Sequence, residues 1–397
     1  MVFHSGCTIF VAMKTTIGLD AKRIVRNGTG LGSYGRTLAN DLATAGHGEL
    51  TLRLYAPDPG RDELRRQVAE GPDVQFCYPR RSSLIGQPAA LWRSHGIVSD
   101  LQRDGVQLYH GLSGELPIGL RRAGIRGVVT IHDLIFMRHP EYYHWLDTRL
   151  YTWKFRRTLR EADHIIAISE CTKRDIMELG GVSADRISVI YQSFAPRFAL
   201  TQPSSLTAQP SPLNPQPSTL NHYILSVGTI EERKNTLLAV QALQWLPADV
   251  SLVLVGRSTP YAEQVRRYAD RHGLGRRLQM LHGVSDDELP ALYAGAEAFV
   301  YPSRYEGFGI PIIEAISMGL PVVACTGSCL EEAGGPHSLY VSPDDAEGLA
   351  AAVRQVLRGA PGRDERISAS RQYISRFCGT SVARQVIDVY QQVMNHF

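Results

Sequence analysis

Two glutamates and a glycine-containing turn lie close together in the segment SRYEGFGIPIIEA. Glu306 and Glu314 are separated by seven residues, and Gly307 and Gly309 lie between them. Pro311 suits the first turn of a helix, so the turn before it would present backbone N–H groups to a ligand. A carboxylate has two acceptor oxygens and suits a pair of neighbouring hydroxyls. The spacing predicts a sugar or diphosphate site, with Glu314 in the first helical turn; alternatively, Glu314 only complements the helix dipole.

A basic pair follows a second apolar run, in the segment SVGTIEERKN. We expect a strand to end at Gly228 and a helix to begin near Asn235, which places Arg233 and Lys234 in the connecting loop. Ligands of doubly wound sheets bind outside the carboxyl ends of the strands. Two cations there could neutralise a diphosphate and stabilise it as a leaving group. The alternative interpretation is a solvated basic turn.

The candidate ligand-binding residues in the first half of the chain are less specific. Three glycines lie between the first predicted strand and a helix: Gly28, Gly30 and Gly32. Because glycine has no side chain, the backbone there can approach a ligand closely. Their spacing and the missing downstream acid argue against a nicotinamide-binding fingerprint. His132 and Asp133 end an apolar strand, so an imidazole could donate to a sugar hydroxyl or a phosphate oxygen. The alternative is a structural histidine.

The elements that must position these residues alternate between apolar runs and amphipathic stretches in both halves of the chain. This pattern is typical of βαβ units, and 397 residues exceed what one core usually organises. The fold class is therefore α/β, with two doubly wound parallel sheets. We predict domains at 13–200 and 222–378, a Pro- and Ser-rich linker at 201–221, and a final helix in 379–397 that packs back on the first domain.

Composition narrows the class of protein. The chain is 44% hydrophobic and 20% charged, which is typical of a folded globular protein. The net charge of +3 conceals an asymmetry, because residues 1–200 carry 26 basic and 20 acidic side chains and the remainder carries 16 and 19. A basic first half could favour an anionic acceptor or an anionic membrane surface, and the hypothesis of membrane contact centres on KFRRTLR (154–160). A solvated surface is the alternative.

Cysteine usage and the chain start bear on location. The six cysteines form no C-x-x-C pair and no metal-ligand spacing with histidine, which argues against zinc and a disulfide framework. We expect a cytoplasmic protein. Peripheral contact with the inner face of the plasma membrane is a further hypothesis. The opening segment makes a poor signal peptide, and Met13 is the more natural first residue.

The motifs resemble glycosyltransferase family 4 over nearly the whole chain from Met13. The resemblance is carried by TGLGSYGRTLANDLA, VVTIHDLIF, ADHIIAISECTKRDI, SVGTIEERKN and SRYEGFGIPIIEA. It implies a GT-B fold, in which two Rossmann-like domains face each other across a cleft. The acceptor would bind the first domain and the nucleotide-sugar donor the second.

The resemblance also assigns roles to individual residues. It implies catalytic roles for His132, Arg233, Lys234 and Glu306. It implies donor binding by Gly228, Val284, Gly307, Phe308, Gly309 and Glu314, with donor-sugar contact at Glu306 and ribose contact at Glu314. It places an acceptor or phosphate loop at Gly30 and Gly32.

The function implied is retaining transfer of a hexose, with mannose favoured, from a nucleotide diphosphate-sugar to a saccharide or lipid-linked saccharide in polysaccharide or lipopolysaccharide biosynthesis. The sequence contains no D-x-D triplet, so we expect no metal to bridge the diphosphate. We also expect no cofactor beyond the nucleotide-sugar co-substrate and no nucleic-acid partner. A nucleotide-sugar epimerase of similar build and an inactive sugar-nucleotide-binding scaffold are the alternatives.

Two departures from the family pattern stand out. Thr229 follows Gly228 where many relatives carry arginine, which leaves Arg233 and Lys234 as the diphosphate ligands. In CLEEAGG, Glu331 replaces a proline that relatives often carry, which puts the local loop geometry near Glu332 in doubt.

Overall fold

The computed structural model describes residues 14–80, 91–198 and 222–395. The predicted linker at 201–221 and the residues up to Met13 lie outside these ranges. The predicted domain bounds therefore stay predictions, and the elements below are those of the described residues.

The first half of the chain forms a seven-stranded sheet in the order β3-β2-β1-β4-β5-β6-β7, with parallel pairing along it. Its strands are β1 (Thr15–Asp20), β2 (Leu50–Tyr55), β3 (Val74–Cys77), β4 (Leu108–Gly111), β5 (Arg126–Ile131), β6 (His164–Ala167) and β7 (Ile187–Val189). Its α-helices are α1 (Lys22–Arg26), α2 (Gly30–Ala45), α3 (Asp62–Arg65), α4 (Ile97–Arg103), α5 (Ile135–Arg138), α6 (Trp145–Glu161) and α7 (Glu170–Gly180).

The second half forms a six-stranded parallel sheet in the order β10-β9-β8-β11-β12-β13. Its strands are β8 (Tyr223–Val227), β9 (Ser251–Val255), β10 (Leu278–Leu281), β11 (Ala298–Tyr301), β12 (Val322–Cys325) and β13 (Leu339–Val341). Its α-helices are α8 (Thr236–Ala242), α9 (Pro260–Arg271), α10 (Leu289–Gly295), α11 (Ile310–Ser317), α12 (Leu330–Gly334), α13 (Ala346–Arg354), α14 (Arg363–Ile374) and α15 (Gly379–Asn395). The prediction of two parallel sheets is confirmed.

The central strands of the second sheet are mostly apolar because helices cover both faces of the sheet. Successive side chains of a strand point to opposite faces. Leu225 and Val253 accordingly belong to one buried cluster, whereas Ile224 and Leu252 belong to the other. The two clusters hold the strands, and therefore the loops at their carboxyl ends, in fixed positions.

The described residues divide into two compact units. The first comprises the residues up to Thr130, Arg157–His164 and the helix residues from Ala383. The second comprises Ile131–Arg156 and the described part of Ile165–Val382.

The C-terminal helix α15 is anchored within the first unit. The buried hydroxyl of Tyr390 lies 2.7 Å from Nδ1 of His110 on β4, and the other ring nitrogen of His110 lies 2.8 Å from the Thr130 hydroxyl. Because all three side chains are buried, each polar atom needs such a partner. The end of the chain is thus tied to the first sheet.

Within the described ranges, no helix combines the length and the apolar character needed to cross a membrane.

Candidate active site

The strand order of the second sheet reverses between β8 and β11. These neighbours run parallel, so their carboxyl ends open at the same edge of the sheet. Such a reversal leaves a crevice in which doubly wound folds bind ligands. Gly228 directly follows β8, and Tyr301 is the last residue of β11. Gly228, Lys234 and Tyr301 line one small cavity there.

Three charged side chains meet at this edge. Nζ of Lys234 lies 2.6 Å from Oε1 of Glu306, and Nη1 of Arg233 lies 3.0 Å from Oε2. Lys234 also donates to the Tyr301 hydroxyl at 2.8 Å, and Arg233 donates to Oε1 of Glu231 at 2.8 Å. The cations predicted for a diphosphate and the carboxylate predicted for a sugar are thus ion-paired with one another.

Burial makes these charges strongly dependent on one another. Glu306 is 8% exposed, and burial alone would raise its pKa, but the charges of Lys234 and Arg233 lower the pKa to about 2. Burial would lower the pKa of Lys234, yet Glu306 raises it above its usual value. Glu306 is therefore ionised and both cations are charged throughout the physiological pH range.

The loop after β8 positions the side chains of Arg233 and Lys234. Arg233 and Lys234 lie in a 3-10 turn, Glu232–Lys234, that ends at Asn235. Asn235 has a φ of 54°, a left-handed conformation that asparagine tolerates, and helix α8 begins at the next residue. Arg304 N–H donates to the Arg233 carbonyl at 2.9 Å, which joins this loop to the one after β11.

The loop that carries Glu306 packs directly against the backbone of His132, within the second unit. A Cβ placed on Gly307 would lie 2.0 Å from the His132 carbonyl oxygen, far inside contact distance. The Gly307 carbonyl accepts a hydrogen bond of 2.7 Å from the Ser169 hydroxyl. Glycine at 307 is thus explained by close backbone approach, which brings His132 next to the Glu306 loop.

The ring of His132 is oriented by Gln192. Nε2 of the Gln192 side chain lies 2.8 Å from Nδ1 of His132. An amide nitrogen can only donate, so Nδ1 accepts and the proton of the neutral ring is on Nε2. The neighbouring carboxyl of Asp133 accepts from Ile135 N–H at 3.1 Å, and burial raises its pKa. The strand-end position predicted for both residues is the observed one.

We expect Gly307→Ala to destabilise the protein by about 2 kcal/mol or more, because the new methyl group collides with backbone rather than with a flexible side chain. Gly71→Ala is the control, since a Cβ at Gly71 meets no atom within 4 Å. Urea unfolding of both variants measures the difference. Equal stability of the two variants would show that the loop does not depend on this contact.

Glu314 lies one residue beyond the first turn of helix α11, the turn in which it was predicted. The helix begins at Ile310, so Glu314 is its fifth residue and not part of the first turn. The prediction of a first-turn position is wrong, because Gly309, with a φ of 122°, serves as the N-cap. At the fifth position the dipole explanation for Glu314 weakens, since the dipole effect falls off within the first turn.

The environment of Glu314 is apolar and buried. Its side chain is 8% exposed, and Oε2 accepts a hydrogen bond of 3.1 Å from the Tyr293 hydroxyl. Burial raises the pKa of Glu314 to about 7, against the opposing effects of Arg197 and Tyr293. A carboxyl that titrates near neutrality and keeps one oxygen for another donor is suited to hold a ligand hydroxyl.

This raised pKa predicts a stability difference that depends on pH. The folded protein binds the Glu314 proton up to about pH 7 and the unfolded chain only up to about 4.5, so the free energy of unfolding falls as pH rises through that window. We expect Glu314→Gln to gain stability relative to the wild type between pH 5 and pH 8, by on the order of 1–3 kcal/mol.

Urea unfolding at both pH values measures this gain, with Glu263→Gln on the exposed face of α9 as the control. A Glu314→Gln difference that stays constant with pH would contradict the raised pKa.

The remaining predicted donor residues have different environments. The ring of Phe308 is buried and lies 5.4 Å from the rings of both Tyr191 and Phe377, so it anchors the loop in the core. Val284 packs partly buried at the edge of the same core. Gly228 has a φ of 150°, and a Cβ there would lie 3.7 Å from the Lys234 side chain.

Of the three glycines predicted to precede a helix in the first unit, Gly28 does so, whereas Gly30 and Gly32 lie inside the helix. Helix α2 begins at Gly30, so Gly30 and Gly32 are both in its first turn, and the short helix α1 intervenes after the strand. A Cβ at Gly32 would lie 1.8 Å from the Asn27 carbonyl oxygen, whereas one at Gly30 would meet no atom within 4 Å. Internal packing accounts for Gly32, and a ligand role for Gly30 stays a prediction.

The departure from the family pattern near Glu332 leaves an ordered helix, α12. The Glu332 carboxylate accepts hydrogen bonds from the backbone N–H groups of Glu170 and Cys171, at 2.7 and 3.0 Å. These are the first residues of α7, whose N-terminal dipole favours an anion. Glu332 therefore fixes α7, which also carries the Ser169 contact to the Glu306 loop.

Two tyrosines of the site, Tyr301 and Tyr293, are not predicted from the sequence. Tyr301 is buried and bonded to Lys234, and Tyr293 is buried and bonded to Glu314. The signal for Tyr301 was its place at the end of an apolar strand, the criterion that had selected His132. Nothing in the sequence distinguishes Tyr293, on α10, from an ordinary core tyrosine.

Two family models match successive parts of the chain. The family model described as glycosyltransferase family 4 matches residues 28–194, and the model described as glycosyl transferases group 1 matches residues 215–373. The second match contains the Arg233, Lys234 and Glu306 cluster.

Two curated proteins are similar over almost the whole chain. O-antigen chain mannosyltransferase B of Escherichia coli is 29% identical over 374 residues, which cover 91% of this chain and 96% of that protein. MMP alpha-(1->4)-mannosyltransferase of Mycolicibacterium hassiacum is 26% identical over 416 residues, covering 92% and 95%.

Solved structures share the fold at lower identity. Sucrose-phosphate synthase of Thermosynechococcus elongatus superposes with a TM-score of 0.74 at 22% identity, covering 96% of this chain and 99% of that one. Anabaena HepE, in complex with UDP, gives 0.71 at 18% identity, covering 96% and 100%. The fold is the predicted GT-B fold.

Proposed function

The chain belongs to the glycosyltransferases, with a family 4 and a group 1 domain, and we propose that it transfers a hexose from a nucleotide diphosphate-sugar with retention of anomeric configuration. The observation that carries the proposal is the cluster of Arg233, Lys234 and Glu306 at the switch point of the second sheet. It combines two cations for a diphosphate with a carboxylate for sugar hydroxyls.

Donor binding in this proposal exchanges one anion for another. Arg233 and Lys234 turn from Glu306 to the diphosphate, and Glu306 becomes free to accept hydrogen bonds from hexose hydroxyls. The diphosphate then neutralises both cations, and the Glu306 carboxylate keeps hydrogen-bond partners in the hexose hydroxyls. Glu314 accepts from the ribose hydroxyls.

The transfer step breaks the bond between the anomeric carbon and the diphosphate oxygen. The acceptor hydroxyl forms its bond to the anomeric carbon on the same face, and its proton passes to the departing diphosphate oxygen. Negative charge grows on the diphosphate as the bond breaks, and Arg233 and Lys234 stabilise that charge. The Nε2–H of His132 donates to a donor or acceptor oxygen. The reaction requires no enzymic nucleophile and, in this proposal, no metal.

The hexose and the acceptor are proposed from the relatives. The two curated relatives are both named as mannosyltransferases, and one is named for the O-antigen chain. We therefore propose a mannose donor and a saccharide or lipid-linked saccharide acceptor in surface-polysaccharide biosynthesis. The proposed location is the cytoplasm.

The test is a transfer assay with GDP-mannose and other nucleotide diphosphate-hexoses against mannose-terminated oligosaccharides, with the product examined by NMR. We expect acceptor-dependent release of the nucleoside diphosphate and a product with the anomeric configuration of the donor. An inverted product would contradict retention. Conversion of the donor to another hexose without acceptor would indicate the epimerase instead.

A further inference from the structure

Helix α6 (Trp145–Glu161) exposes large apolar side chains that the proposed site does not use. Trp145 is 60% exposed, Leu146 53%, Leu150 47% and Trp153 57%. Exposed apolar side chains are common singly, but a cluster of this size on one helix indicates an interaction surface.

These side chains share one face of the helix. Residues four apart in a helix lie on the same side, so Trp145 and Trp153 form one row with Arg149, and Leu146 and Leu150 form the adjacent row. The opposite side is fixed to the protein, because Phe155 is buried. The exposed face is therefore a property of an anchored helix and not of a loose one.

Basic side chains alternate with the apolar ones on this face. Arg149 and Arg156 are exposed there, and the guanidinium of Arg149 lies 5.9 Å from the centre of the Trp145 ring. The helix carries five basic and two acidic residues, and Asp147 lies off this face. The basic segment predicted at 154–160 contributes Arg156 to this face, while Phe155 and Thr158 of the same segment are buried.

We propose that this face of α6, formed by Trp145, Leu146, Arg149, Leu150, Trp153 and Arg156, binds the surface of a membrane that contains anionic lipids. Tryptophan and leucine side chains enter the interfacial region while arginine side chains reach the phosphate groups above it. A lipid interface satisfies both kinds of side chain at once, and its negative charge complements the arginines. The inference goes beyond the proposed function, because membrane contact is independent of the donor and the reaction.

The test is flotation of the full chain with vesicles of phosphatidylcholine alone or mixed equally with phosphatidylglycerol. We expect binding to the mixed vesicles that weakens with salt, and little binding to the neutral ones. Trp145→Ser with Trp153→Ser, and Arg149→Gln with Arg156→Gln, should each lower the partition coefficient about tenfold or more.

Two control variants isolate this face. Trp245→Ser removes another exposed tryptophan, 41% exposed, and Arg267→Gln with Arg271→Gln removes two exposed arginines of α9. Both should bind within about twofold of the wild type. Binding of nucleotide sugar by the same proteins, followed by thermal shift, reports folding and the donor site separately.

Absence of wild-type binding to the mixed vesicles would overturn the proposal, as would equal losses in the control variants. A wild-type oligomer that the Trp145→Ser, Trp153→Ser variant converts to a monomer, without vesicle binding, would show that the face is a protein interface instead.

Discussion

Lys234→Met should lower kcat about 10²- to 10³-fold and change the affinity for the donor much less. Charge on the departing diphosphate is larger in the transition state than in the bound donor, so a cation placed on it contributes mainly to turnover. Lys234 reaches that position on a buried stem held by Tyr301. Methionine retains most of the stem and removes the ammonium group, with its charge and its hydrogen bonds.

Initial rates at saturating donor, together with donor affinity from calorimetry, separate the two effects. Lys173→Met, a half-buried lysine on α7 outside the cluster, is the matched control. A variant with normal kcat and a raised KM would contradict the account, because it would show that Lys234 binds donor and transition state equally.

Glu306→Gln should have opposite effects on binding and turnover. Turnover should fall about 10²-fold, because the carboxylate that holds the hexose is lost. Affinity for inorganic pyrophosphate should rise about tenfold, because Arg233 and Lys234 no longer have Glu306 as a competing anion. The free protein should lose about 3–5 kcal/mol of stability, since a buried cation is left without its partner.

Calorimetry with pyrophosphate and urea unfolding measure these quantities. Glu231→Gln is the matched control, because Glu231 pairs with Arg233 at 2.8 Å and is less buried. It should change the pyrophosphate affinity less than Glu306→Gln does. Weaker pyrophosphate binding by Glu306→Gln would contradict the exchange of anions proposed for donor binding.

The sequence predicts the fold because each apolar run is long enough to be a strand and is bounded by turns. The alternating order of strands and helices admits few topologies. The positions of Gly228 and His132 at strand ends follow from the same pattern, and so does the helix that begins after Asn235.

The pairing of side chains across strands is not predictable in this way. Glu306 and Lys234 are 72 positions apart, and they meet only because β8 and β11 are neighbours in the sheet. The sequence therefore assigned the carboxylate and the cations to separate parts of a ligand and did not show that they pair with each other. The hydrogen bond between Lys234 and Tyr301 is unpredictable for the same reason, although the strand-end position of Tyr301 is visible in the sequence.

The sequence also does not predict the conformation of the loop between Glu306 and helix α11. The N-cap of α11 is set by the conformation of Gly309 rather than by Pro311, which moved Glu314 out of the first turn. Phe308 lies in the same motif as Glu306, yet its ring is in the core. Motif spacing identifies the loop but does not say which of its side chains face a ligand.

The most direct test of the central claim is a thermal-shift titration of the purified protein with a panel of nucleotide diphosphate-hexoses. We expect one donor to raise Tm selectively, because it binds the folded state alone, and we expect Arg233→Gln with Lys234→Gln to abolish the shift. Failure of every donor to raise Tm, in wild-type protein shown to be folded, would contradict the assignment of this cluster as a donor site.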